Sequence, residues 1–80
     1  MTHTPHELAE EFPEQAEQMA TLRQSDNHFA KLSDSYHTVN RAIHRAETDV
    51  EPTSDDNMQK MRRERLALKD EIAAYLREKA

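Results

Sequence analysis

The sequence predicts an all-α protein built on a long antiparallel helical hairpin, and three observations predict it. The 80 residues include no glycine and only three prolines, which leaves little material for tight β-hairpins or phosphate-cradling loops. Apolar residues recur at alternating spacings of three and four along two stretches, the signature of a heptad seam. The two series also pair antiparallel, residue against residue, with numbers that sum to 104.

The first element is a kinked N-terminal helical segment, about 5–11 and 13–24. Thr4 can cap free backbone N–H groups, Pro5 suits the first helical position and Glu7 can complete a capping box. Pro13 disfavours helical geometry at Phe12 and can open a new helix, so a break is expected at 11–13. Ser25-Asp26-Asn27 places three backbone-competing side chains in a row, which marks a second kink with Ser25 as a cap.

The second element runs over about 26–48, with Phe29, Leu32, Tyr36, Val39, Ile43, Ala46 and Val50 in register. Pro52 stops that helix, Thr53 or Ser54 caps the next, and Asp55 and Asp56 favour its N-terminus through the helix dipole. The third element, about 54–78, carries Met58, Met61, Arg65, Leu68, Ile72 and Tyr75 at the same spacing. The shared sum of 104 opposes Phe29 to Tyr75, Leu32 to Ile72, Tyr36 to Leu68, Val39 to Arg65, Ile43 to Met61 and Ala46 to Met58. Helices of this length reach about 35 Å at 1.5 Å per residue. The chain reads as one domain, residues 1–80.

Leucine, isoleucine, valine and phenylalanine together number only twelve, so a large private core is excluded. Leu8, Phe12, Met19 and Leu22, with Leu66, Ala73 and Leu76 on a second stripe of the last helix, need cover. Either the N-terminal segment folds back on the hairpin or two chains pair into a four-helix bundle, since a domain this small gains from association. The expectation drawn here is a homodimer.

Charge and composition narrow the function classes. The net charge is −5, with charged residues at 34% and a pI near 5.4, which argues against a dedicated nucleic-acid or membrane binder. Residues 1–40 hold seven acids against Arg23 and Lys31. Cysteine is absent, so thiolate metal sites, disulfides and Cys nucleophiles are excluded. No apolar run long enough for a membrane span and no secretory pattern is present, which makes a cytoplasmic protein the default expectation.

Five histidines raise a metal site, but His37 and His44 stand two helical turns apart, about 10 Å, too far to share one zinc ion unaided. No metal, cofactor or small-molecule substrate is expected. Many carboxylates are present, yet acid-base catalysis needs a pocket that shifts a pKa, and an extended hairpin offers none. The expectation is a non-enzymatic module for protein–protein interaction that self-associates. Arg65, a charge on the seam, has Tyr36, Asn40 and His44 as neighbours in the expected register, and a polar exception of this kind can set register. The alternative is non-specific nucleic-acid binding through Arg41, Arg45, Lys60, Arg62, Arg63 and Arg65. Phe29, Tyr36 and Tyr75 lie on the seam, so none is free to stack on bases.

Several stretches carry a family resemblance: His6-Glu7-Leu8, Glu11-Phe12-Pro13-Glu14, Leu22 with Ser25-Asp26-Asn27-His28-Phe29, Tyr36-His37, His44-Arg45-Ala46-Glu47 and Arg65-Leu66-Ala67-Leu68-Lys69-Asp70-Glu71-Ile72. Through them the chain resembles the YdcH-like family of small bacterial proteins over nearly its whole length. The resemblance implies a helical hairpin from bacterial cytoplasm and a domain of unknown function. It carries over no catalytic or ligand residues.

Overall fold

The computed structural model describes residues 5–48 and 53–79. In chain order the elements are a one-turn helix α1 (Leu8–Glu11), a 3-10 turn (Pro13–Gln15), α2 (Ala16–Ser25), α3 (Asn27–Glu47) and α4 (Asp55–Glu78). No strand occurs among the described residues. The two long helices form the hairpin the periodicity predicts, and the molecule extends 38 Å along its longest axis. The turn itself, with Val50 and Pro52, lies outside the described residues, as does the Thr4 cap.

Local chemistry explains each boundary. Pro13 opens the 3-10 turn, and Phe12 before it leaves helical geometry at φ −131° and ψ 62°, as a following proline disfavours the α region. Asp26 separates α2 from α3, and its carboxylate accepts hydrogen bonds from the His28 and Phe29 N–H groups. The cap is therefore Asp26 and not the expected Ser25, which closes α2 and donates its hydroxyl to the Thr21 carbonyl at 2.9 Å. Both residue types cap well, but only Asp26 adopts the non-helical φ and ψ that a cap requires. Ser54 caps α4 by accepting from the Asn57 N–H, and Asp55 and Asp56 sit in its first turn, where acids complement the dipole.

The first helix begins at Leu8 rather than at 5. Pro5 and His6 form a turn instead, with His6 in the left-handed region at φ 63°. Glu7 is the residue before the helix and makes no side-chain cap. The turn aims two carbonyls inward: that of Pro5 accepts from Asn40 Nδ2 at 2.9 Å and that of His6 from the Tyr36 hydroxyl at 2.6 Å. These buried bonds hold a conformation disfavoured for a residue other than glycine.

The seam is the core. Phe29, Leu32, Tyr36, Ile43, Ala46 and Ile72 are buried, whereas Val39, Met58, Met61, Leu68 and Tyr75 are half-buried. Phe29 and Tyr75 come together with ring centroids 5.9 Å apart, as the 104 register requires. Of the two ways to cover the remaining apolar surface, the fold uses the first. Leu8 and Met19 join Phe29, Leu32, Tyr36, Ile72 and Leu76 in one cluster, and Phe12 and Leu22 pack at its edge. The N-terminal segment thus lies on the half of the hairpin farthest from its turn. Ile43 and Ala46, nearer the turn, are buried outside that cluster.

Candidate functional site

A strip of polar contacts fastens the acidic N-terminal segment to the hairpin. Glu7 Oε2 lies 2.8 Å from His37 Nδ1, and Glu7 Oε1 lies 3.9 Å from Arg41 Nε. Glu11 bridges His6 Nδ1 at 2.8 Å and Lys69 Nζ at 3.2 Å, so one carboxylate ties α1 to α4. Farther along, Gln18 Nε2 donates to the Leu76 carbonyl at 2.9 Å.

A part-buried polar chain links α4 through α3 to the Pro5–His6 turn. Arg65 Nη1 donates to Asn40 Oδ1 at 2.9 Å, and Asn40 in turn donates to Pro5. Asn40 is only 1% exposed, so both its bonds are made in a low-dielectric setting where leaving either unmade is expensive. The charge on the seam therefore meets the Asn40 neighbour its register predicts. Burial pushes the Tyr36 phenol up to about 12, and the nearby Glu11 carboxylate adds to the shift.

Two carboxylates are held below their usual range. For Asp26 the main cause is the hydrogen bond from the Tyr75 hydroxyl, with the Phe29 N–H next. For Glu11 the bond to His6 leads, opposed by burial and reinforced by Lys69. Both bind protons less tightly when folded, so their contribution is complete above the unfolded carboxylate range and is lost as pH falls through the folded values. Urea midpoints are expected to drop below about pH 4. The Asp26→Asn/Glu11→Gln double variant should flatten that acid limb, and an unchanged limb would contradict the assignment.

The six basic residues singled out in the sequence fall in different places. Arg41 and Arg45 line a concavity with Arg23, Asp34, His37 and Thr38. Arg62 and Arg65 line another with His6, Glu11, Tyr36, Leu66 and Lys69, and Arg62 also pairs with Glu47 at 2.9 Å. Lys60 and Arg63 are exposed. Leu66, on the second stripe of the last helix, is not covered by the N-terminal segment. It is 57% exposed and is the large apolar side chain left open to solvent among the described residues. It stands beside three cations, Arg62, Arg65 and Lys69, in the second concavity.

Ser33, His37 and Glu7 line a further groove between α1, α2 and α3. The Ser33 hydroxyl is buried with no hydrogen-bond partner among the described residues, so no Ser-to-His relay is formed there. Among the described residues no group of three or more His, Asp or Glu side chains is gathered as a metal site, and no helix is long and apolar enough to cross a membrane.

Residues 29–76 match the family model described as "Protein of unknown function (DUF465)", in keeping with the YdcH-like resemblance. The match spans the hairpin and stops short of the N-terminal segment. No curated protein and no solved structure matches the chain.

Proposed function

Because the chain belongs to the DUF465 family, whose function is unknown, we propose from geometry and charge that it is a non-enzymatic interaction module whose hairpin docks an acidic, amphipathic helical segment of a protein partner. The observation that carries this reading is exposed Leu66 in a concavity it shares with Arg62, Arg65 and Lys69, and with Glu11 from the N-terminal segment. An apolar anchor within a cationic rim fits a helix that presents a hydrophobic residue flanked by carboxylates. The chain's own N-terminal segment has that chemistry: Glu11 reaches Lys69 while Leu8 enters the core.

Leu66→Asp tests the reading, because a change at so exposed a site should alter stability by no more than about 0.5 kcal/mol. Affinity capture from bacterial lysate should retain a nuclease-resistant, near-stoichiometric protein on the wild type and lose it on Leu66→Asp. Equal retention on both would contradict the docking face.

A second reading, binding to a nucleic-acid phosphate backbone, draws on Arg23, Arg41 and Arg45 around their shared concavity with His37 and Thr38. Nucleic acid recovered only without nuclease, in a manner that weakens steeply with salt, would favour it over the protein partner.

A further inference from the structure

We infer that the acidic N-terminal segment is exchanged between two copies of this chain, with Asp26 as the hinge and a second copy's hairpin as the partner. This exchange goes beyond the Leu66 docking face, because the exchanged segment takes the groove that the chain's own segment fills, and it names one occupant.

The hinge carries the argument. Only Asp26 separates α2 from α3, at φ −133° and ψ 106°. The helical hydrogen-bond ladder already runs up to it and away from it. Its N–H donates to the Leu22 carbonyl at 2.8 Å, and its carbonyl accepts from the Ala30 N–H at 3.0 Å, both with the four-residue spacing of an α-helix. Rotating this one residue into helical geometry would join α2 and α3 into a single helix over residues 16–47. The N–H groups of His28 and Phe29 would then exchange the Asp26 carboxylate for backbone carbonyls one turn earlier. Neither proline nor glycine stands at the junction, so nothing covalent forbids the straight form.

Straightening carries residues 5–25 away from their own hairpin. The site they leave is lined by Phe29, Leu32, Tyr36, Ile72 and Leu76, with His37, Arg41, Asn40 and Lys69 as polar partners. A second copy's segment fits that site by construction, because every contact made within one chain is remade between two. Short hinges favour this kind of exchange. Leu22 also stands seven residues before Phe29, so a continuous helix extends the seam in phase. The bent form is favoured by the Asp26 side chain, through its cap on α3 and its bond from Tyr75. The hinge residue therefore sets the balance between one chain and two.

The experiment is an isotope-filtered NOESY on a 1:1 mixture of labelled and unlabelled full-length chains, concentrated to about 1 mM and incubated warm to allow exchange. It is paired with light scattering on wild type and Asp26→Ala. The expected result is a dimer in which the methyls of Leu8 and Met19 show intermolecular contacts to the Phe29 and Tyr36 rings. Asp26→Ala, having lost a cap that only the bent form uses, should raise the association constant at least about tenfold. A dimer whose contacts all remain within one chain would overturn the exchange. So would a wild type that stays monomeric at this concentration. Should Asp26→Ala fail to fold, the wild-type spectrum still decides. Loss of a captured protein on Leu66→Asp, alongside no exchange, would leave the Leu66 face standing as a partner site and overturn only the exchange.

Discussion

Phe29→Ala is expected to lower stability by about 3–5 kcal/mol, the range for removing a fully buried phenylalanine. Phe29 has no exposed surface, faces the Tyr75 ring at 5.9 Å, and joins the cluster that includes Leu8 and Met19 from the N-terminal segment and Ile72 and Leu76 from α4. It also occupies the first turn of α3, where its N–H is capped by Asp26. A single-core domain of this size has a total stability on the order of 3–5 kcal/mol. The variant should therefore be largely unfolded at 25 °C, losing most of its helical circular dichroism without a cooperative urea transition. Leu66→Ala is the matching control, expected to move stability by no more than about 0.5 kcal/mol. A loss below about 1 kcal/mol at Phe29 would mean that hairpin and N-terminal segment do not share one core.

Asn40→Ala should cost about 2–3 kcal/mol, despite removing only a small side chain. The loss strands two groups at once, the half-buried Arg65 guanidinium and the Pro5 carbonyl. The sharper test is the double variant Asn40→Leu/Arg65→Met, which removes the charge together with its acceptor. Replacing a buried polar pair by apolar side chains is often neutral or stabilising, so the double variant should recover to within about 1 kcal/mol of wild type. A double variant no better than Asn40→Ala would show that the Arg65 charge itself does not set the loss. Urea denaturation of the three proteins measures all of this directly.

The hairpin was legible because its information is periodic and local. A 3,4 spacing on two stretches fixes which face of each helix is buried, and matching the two series opposes Phe29 to Tyr75. The same register brings Arg65 near Asn40, a contact between residues 25 apart. The N-terminal segment was less legible for a physical reason. Pro13 breaks the helical phase between Leu8 and Met19, so spacing alone does not show that both reach one core. The Pro5–His6 turn carries no glycine to announce its positive φ, and is held by Tyr36 and Asn40 some 30 to 35 residues away.

At the candidate site, counting charges along the chain grouped six cations that the helix separates. One residue step turns an α-helix by about 100°, which sets exposed Lys60 and Arg63 apart from Arg62 and Arg65. Leu66 reads as one more member of an apolar stripe until the fold shows Leu76 buried in the shared cluster and Leu66 left open. The links from Glu7 to His37 and from Glu11 to Lys69 join residues 30 and 58 apart, and no local pattern encodes them.

The acidic N-terminal segment is seated on the hairpin beside the face it helps to define. The most direct test is a nitroxide attached through Gln15→Cys, in a chain with no native cysteine, read by paramagnetic relaxation of backbone amides in a dilute sample. Gln15 lines a groove with Ala73, Leu76 and Arg77, so the amides of residues 73–77 should broaden strongly while those of residues 55–60 stay sharp. Weak broadening spread evenly along α4 would show a segment that swings free, and would contradict the account.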